Sequence, residues 1–381
     1  MKTKKKILFL MQTLDGGGAE KMLINLLNDF DYEKYSVDLC VIYREGVLLN
    51  DVPPQVNFLE YNHFWQYIRV HHLCLKYKLM NLYYLLEKPA FRCFVKQNYD
   101  VIISFLEGLP LLFHSFILNR GGKNISWVHT DAALNSAHLS YFGSKKHESR
   151  VYNQMSDIIF VSDNAKRGLN SLYHLSGARQ WVINNFLTDA DDICRKAEQT
   201  NVQKDGFLIV CSGRLTGAKR FDRAINVAKI LKDKSLSFEM RIIGEGSLRN
   251  QLQSQIDILG LNDCVKLIGW QKNPYSQMRA ADIFLLTSDM EGGPLVVCEA
   301  ICLGLAIVST DVGYVKDVLE DGKYGIITSF SEEEIADKIE SLMSNQAELK
   351  KYSALSKVNS KKFNSKKNIQ NIYSVIDGDR K

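Results

Sequence analysis

The sequence predicts an α/β protein made of two doubly wound, parallel-sheet domains, and three observations carry that prediction. Short, wholly apolar runs alternate with longer amphipathic stretches from end to end, as expected of strands covered on both faces by helices. The alternation breaks once, over the polar residues 188–206 (TDADDICRKAEQTNVQKDG), and then restarts. The length, 381 residues, exceeds what one core organises and suits two domains of about 180 residues each.

Taken in order, ILFLM (7–11) reads as the first strand, followed by a helical pattern from Ala19 to Phe30 and a second strand at VDLCVI (37–42). DVIISF (100–105), NISWVH (124–129), DIIFVS (157–162) and QWVIN (180–184) complete a first domain over residues 1–187. After the polar stretch, read as a linker, FLIVCSG (207–213), MRIIG (240–244), CVKLIG (264–269), DIFLLTS (282–288), LAIVST (305–310) and YGIIT (324–328) give a second domain over 206–355. Residues 356–381 form a lysine-rich tail whose apolar positions (Phe363, Ile369, Ile372, Tyr373, Ile376) have helical spacing; the tail is expected to cross back to the first domain.

Hydrophobic residues at 46% against 24% charged, with only 6 prolines and no Gly/Ser tract, exclude a disordered or fibrous chain. A net charge of +5 is too small to argue for nucleic acid. The 8 cysteines include no C-x-x-C pair and none at zinc-ligand spacing with histidine, so buried reduced thiols in a cytoplasmic protein are expected. ILFLM is too short for a signal peptide, and the apolar stretch Val101 to Leu118 is interrupted by Glu107, Pro110 and His114, so no membrane span is expected.

Three loops carry candidate chemistry. LDGGGAEK (14–21) joins the first strand to the first helix, where glycines let backbone N–H groups approach an anion. Gly16 and Gly18 fit a dinucleotide fingerprint, but Lys21 stands at its third site; a plain tight connection fits as well. SGRLTGAKRF (212–221) places Arg214 and Lys219 at the carboxyl end of a strand, where two cations would hold a diphosphate; a solvated basic loop is the alternative. SDMEGGPLVVCEAICLG (288–304) is the most informative. Pro294 opens a helix that is apolar nearly all round yet contains Glu299, a carboxylate that needs a partner or a ligand there. Glu291 lies just before this helix, so two carboxylates, suited to sugar hydroxyls, flank a helix N-terminus suited to phosphate at Gly292, Gly293, Pro294 and Leu295. A buried structural ion pair is the alternative for Glu299.

These segments together resemble one family. Glu291 and Glu299 with AICLGLAIVSTDVG, the glycine loop LDGGGAEKMLINL, the Arg-x4-Lys segment SGRLTGAKRFDRAI, MRIIGEGSLRNQL (240–252) and the histidine-bearing strand end ISWVHTD (125–131) are similar, in order along the chain, to the retaining family-four (group 1) glycosyltransferases of GT-B fold. The resemblance implies two Rossmann-like domains facing each other across a cleft, the first binding acceptor and the second a nucleotide-sugar. It implies that Arg214 and Lys219 neutralise the leaving diphosphate, that Glu299 binds ribose hydroxyls and that Glu291 binds the transferred sugar. Gly17 and Gly18 would approach the diphosphate, and His129 would lie beside the donor sugar. The donor, a UDP-sugar by the family's habit, is a substrate; no cofactor and no metal are implied. Two departures stand out: Arg220 replaces the usual glycine after the lysine, which would change the loop's shape, and Asn184 replaces the usual proline or tyrosine before Asn185.

The implied reaction is hexosyl transfer with retention, to a saccharide or lipid-linked saccharide acceptor in cell-surface polysaccharide synthesis. A non-hydrolysing nucleotide-sugar epimerase is the rival enzyme, and a sugar-nucleotide sensor or scaffold subunit of a glycosylation complex the rival without activity. The D-x-D strings at 189–191 and 377–379 lie in polar linker and tail and read as solvated loops, His71 and His72 as surface, and Cys298 and Cys302 as core. Residues 63–98 carry Arg69, Lys76, Lys78, Lys88, Arg92 and Lys96 among eight aromatic rings with one acid, Glu87. That composition suits peripheral contact with an anionic membrane surface on the inner face of the cell membrane; a core-packed helix pair is the alternative.

Overall fold

In a computed structural model of the chain, the apolar run at 7–11 lies in an interior strand of a parallel sheet. The structure describes residues 3–61, 80–134, 141–185, 187, 190–360, 363 and 365–378. The chain divides into two units, Met1–Thr188 with Lys366–Lys381, and Asp189–Ser365.

The first unit contains β1 (Lys5–Met11), α1 (Gly18–Asn28), β2 (Tyr35–Val41), β3 (Asn57–Leu59), α2 (Met80–Phe94), β4 (Tyr99–Ser104), α3 (Leu109–Phe116), β5 (Gly121–Val128), α4 (Lys145–Tyr152), β6 (Asp157–Phe160), α5 (Asp163–Leu172) and β7 (Arg179–Val182). Its sheet has the order β3-β2-β1-β4-β5-β6-β7, with every pairing parallel. Ile7, Leu8, Phe9, Leu10 and Met11 are wholly buried, which explains why β1 shows no polar–apolar alternation. Ser144 and Ser162 cap α4 and α5 by accepting from the amides of His147 and Ala165.

The second unit contains α6 (Ala190–Glu198), β8 (Phe207–Ser212), α7 (Phe221–Asp233), β9 (Phe238–Ile243), α8 (Arg249–Ile258), β10 (Val265–Gly269), α9 (Tyr275–Ala280), β11 (Ile283–Leu286), α10 (Leu295–Cys302), β12 (Ala306–Thr310), α11 (Val315–Leu319), β13 (Ile326–Thr328), α12 (Glu332–Ser344) and α13 (Gln346–Asn359). Its parallel sheet has the order β10-β9-β8-β11-β12-β13. One face of that sheet packs on α7, α8 and α12 through Ile209, Cys211, Ile225, Leu231, Ile256, Ile335 and Ile339.

Three features differ from the sequence expectation. The polar stretch after residue 188 contains α6, whose Ile193 and Ala197 are buried. Four residues apart, they form one short apolar stripe, invisible to a search for continuous apolar runs. The carbonyl of Lys196 accepts from Asn273 Nδ2 (2.7 Å) and Ser276 Oγ (3.4 Å), fastening α6 at the start of α9. Secondly, the second unit's last helix, α13, includes the start of the presumed tail. Ser356 Oγ donates to the Leu305 carbonyl (2.6 Å) and Asn359 Nδ2 to that of Val318 (2.8 Å), both buried. Thirdly, β3 is a three-residue edge strand, too short to show a period.

The final helix, α14 (Ser365–Asp377), belongs to the first unit. Asp377 takes Lys5 at 2.8 Å, Lys34 at 2.5 Å and the Tyr35 hydroxyl at 2.9 Å. Tyr373 stacks on Tyr35 with centroids 5.3 Å apart and accepts from the amide of Asp31 (2.8 Å).

Of the basic aromatic segment, residues 63–79, including His71 and His72, lie outside the described residues, as do Asp189 and Asp379 of the D-x-D strings. Within α2, Phe91 is core, 5.1 Å from the Tyr61 ring and 4.8 Å from that of Phe113. Glu87 is buried and accepts from Tyr61 (3.0 Å). These two residues therefore face the interior, against the expectation of a surface stretch. Among the described residues, no helix is long and apolar enough to cross a membrane.

Candidate functional site

The second unit builds its site from two loops on neighbouring strands. β8 and β11 pair in parallel, Ile209 opposite Ile283, so the 213–220 and 287–294 loops leave the same carboxyl edge side by side, where α/β sheets bind ligands. Lys219 Nζ lies 2.6 Å from Glu291 Oε1, and Ser288 Oγ donates to that same oxygen at 2.6 Å. The Lys219 side chain is 25% exposed and that of Glu291 8%, so the pair is sheltered while its cation can still be reached. Arg214 is exposed on the same loop as Lys219.

The loops are laced together by backbone and side chain. The Asp289 amide donates to the Ala218 carbonyl (3.0 Å). Thr287 Oγ1 donates to the carbonyls of Lys219 (3.2 Å) and Arg220 (2.9 Å). Two neighbouring turns close in on them. At Gly244, with φ +142, a Cβ would lie 1.9 Å from the Gly213 carbonyl oxygen; at Gly313, with φ +50, it would lie 1.7 Å from that of Glu291. Only glycine permits both that approach and that backbone conformation.

Arg220 precedes α7 with φ 49 and ψ 46, left-handed values costing a non-glycine residue about 1–2 kcal/mol. Its loop therefore has a backbone conformation that glycine adopts freely, and the substitution noted in the sequence is accommodated by the side chain. The guanidinium takes Asp222 through Nε (3.0 Å) and Nη2 (2.9 Å) and Asp289 through Nη1 (2.9 Å). Buried Arg223 donates to the other Asp289 oxygen (2.8 Å) and to the Thr287 carbonyl (2.6 Å). Burial raises the Asp289 carboxyl, but its bonds to Arg220 and Arg223 hold it below the usual carboxylate range.

Glu299 is buried on α10 and accepts from the Tyr275 hydroxyl at 3.2 Å. Pro294 is the N-cap of this helix and Leu295 its first residue, with Gly292 and Gly293 half-buried just before it. Cys298 and Cys302 are buried core thiols; burial pushes Cys302 up to about 12.

The first unit holds the remaining sequence candidates. β1, β4 and β5 are neighbours, so Gly17 and Gly18 after β1 and His129 after β5 share that sheet's carboxyl edge. Gly17 is the N-cap of α1, and the space a Cβ of Gly18 would enter is open. His129 is 6% exposed beside the touching rings of Phe105 (5.0 Å) and Trp127 (6.0 Å), and neither ring nitrogen has a hydrogen-bond partner among the described residues. Burial pushes it down to about 3, so the imidazole is neutral at physiological pH. Its amide donates to Glu107 Oε2 (2.9 Å), and the Thr130 hydroxyl bonds the other oxygen of that carboxylate.

Sequence reasoning missed Glu107, Tyr275, Asp289 and Gly313 as parts of these sites. Glu107 carried a usable signal: like Glu299, it is an acid inside an apolar run, and it is buried on bonding partners. The other three become meaningful only once strands distant in sequence are adjacent.

Residues 192–362 match the family model of glycosyl transferases group 1. The stretch falls within the second unit and contains Arg214, Lys219, Glu291 and Glu299. An uncharacterized glycosyltransferase of Methanocaldococcus jannaschii is 35% identical over 148 residues, 35% of this chain and 36% of the relative; that alignment thus spans about a third of the relative's length. The N-acetylgalactosamine-N,N'-diacetylbacillosaminyl-diphospho-undecaprenol 4-alpha-N-acetylgalactosaminyltransferase of Campylobacter jejuni is 25% identical over 86% of this chain and 87% of its own. Among solved structures, Anabaena HepE in complex with UDP-glucose aligns with a TM-score of 0.72 at 19% identity, covering 98% of this chain and 99% of that one. At that identity the likeness shows the fold: two parallel-sheet, Rossmann-like units of the kind found in GT-B glycosyltransferases.

Proposed function

We propose that the chain is a retaining glycosyltransferase of polysaccharide assembly, moving a hexosyl unit from a UDP-sugar to a saccharide or lipid-linked saccharide. The observation that carries this reading is the Lys219–Glu291 pair, held by Ser288 beside Arg214 at a carboxyl sheet edge. A cation paired with a carboxylate suits a ligand that is anionic at one end and rich in hydroxyls at the other. The family match over 192–362 and the UDP-glucose named with HepE support a nucleotide-sugar donor. The Campylobacter relative's diphospho-undecaprenol-linked substrate supports a lipid-linked acceptor.

In this reading Lys219 and Arg214 stabilise the negative charge that grows on the departing diphosphate. Glu291 accepts hydrogen bonds from the transferred sugar and Glu299 from the ribose. The acceptor hydroxyl forms the new glycosidic bond on the face from which UDP leaves, and a leaving phosphate oxygen takes the hydroxyl proton. No metal or further cofactor enters this scheme. The basic segment 63–98, apart from its interior Glu87 and Phe91, is the proposed membrane contact, and flotation with anionic liposomes at low salt would leave the protein at the bottom if it is not.

The test is incubation with a panel of UDP-hexoses, with and without saccharide and lipid-linked acceptors, followed by NMR of the product. Acceptor-dependent UDP release with the donor's anomeric configuration kept supports the reading. Inversion overturns the retaining mechanism, and epimerisation of the donor without acceptor overturns transfer itself.

A further inference from the structure

The loop carrying Lys219 is fixed by charges that play no part in the scheme above. Arg220 accepts a left-handed backbone and spans two carboxylates, one on its own helix (Asp222) and one on the neighbouring loop (Asp289). Asp289 is in turn shared with Arg223, and its amide holds the Ala218 carbonyl. Asp289 thus grips the lysine loop at Ala218 and Arg220 and the following helix at Arg223, and sits two residues before Glu291, the partner of Lys219. The Lys219 side chain, flexible by nature, therefore springs from a backbone clamped on both sides. Electrostatic catalysis depends on charges placed before the reaction rather than reorganised during it.

We infer that Arg220 and Asp289 form a clasp of positioning residues, setting where the Lys219 cation meets the donor diphosphate. The inference deepens the proposed function and rests on it. A glycine at 220 adopts the same backbone without strain, so Arg220→Gly removes the side-chain half of the clasp and keeps the turn. Asp289→Asn keeps the size and amide of the other half and removes its charge. Neither residue is placed in contact with the donor.

The experiment is UDP calorimetry on the full chain for wild type, R220G, D289N, the R220G/D289N double variant, K219A and R220G/K219A, with the donor KM measured in parallel. R220G and D289N should each weaken UDP binding about tenfold and raise the donor KM in step, with melting temperatures close to wild type. The R220G/D289N variant should bind within about twofold of the weaker single. With Lys219 gone there is nothing to position, so R220G/K219A should bind like K219A. A general loosening of the unit would instead add its loss in every background. Wild-type affinity in R220G, or a full further loss in R220G/K219A, overturns the clasp while the proposed function stands. A wild-type protein that binds no UDP overturns the proposed function, and the clasp with it.

Discussion

Lys219 and Glu291, 72 positions apart in sequence, meet at 2.6 Å. The meeting follows from topology: β8 and β11 are neighbours, so the loops after them start side by side. It balances the lysine charge within the unit. Under the proposed function, an incoming diphosphate would share Lys219 with Glu291, which would link the two ends of the donor in one contact.

Lys219→Ala and Arg214→Ala should each lower turnover by about 10²–10³ with the fold intact, the size expected for one preorganised charge. Turnover assays and melting curves check this together. Near-normal turnover in either variant removes that residue from the site.

Glu291→Gln and Glu299→Gln should separate. Glu299 is buried on α10 against Tyr275, whereas Glu291 is tied to Lys219 and Ser288. E299Q should mainly weaken UDP binding, and E291Q should mainly lower rate and discrimination among donor sugars. Equal loss of UDP affinity in both contradicts the division of roles.

Gly313→Ala should displace the Glu291 loop, because its Cβ would lie 1.7 Å from the Glu291 carbonyl oxygen at a φ of +50°. Both melting temperature and turnover should fall. An alanine variant with wild-type values in both would show that the backbone contact is dispensable.

The fold was legible because buried parallel strands advertise themselves as apolar runs; the second unit's strands from FLIVCSG onward all form. Helix α6 was not, since only Ile193 and Ala197 mark its buried face within a charged stretch. At the candidate site, Glu299 was conspicuous as an acid in an apolar helix. Asp289 was not, because its meaning depends on Arg220 and Arg223 arriving from another βα unit. A loop residue whose partners are supplied by topology leaves no local pattern.

Acid should destabilise the protein through two buried histidines. Burial pushes His114 down to about 4 and His129 to about 3, against 6.5 for the exposed group. Between these values the unfolded chain binds more protons, so the stability from neutral burial is full above pH 6.5 and is lost progressively as pH falls towards 4 and 3. Melting temperatures from pH 7.5 down to 4.5 should fall, and the slope should be shallower in His114→Gln. An unchanged slope would contradict the assignment.

Asp377→Asn should lower stability by about 1–2 kcal/mol, because it removes two ion pairs that are partly screened by solvent. The loss should shrink at high salt, since Lys5 and Lys34 are themselves partly exposed. Denaturant melts at low and high salt measure it, and a salt-independent difference would argue against an ionic origin.

The most direct test of the central claim is calorimetry of UDP with the wild-type protein and with Lys219→Ala. The account predicts one site in the wild type and binding weakened at least tenfold by the substitution, with melting temperature preserved. No UDP binding by the wild type, or equal affinity in the variant, would contradict it.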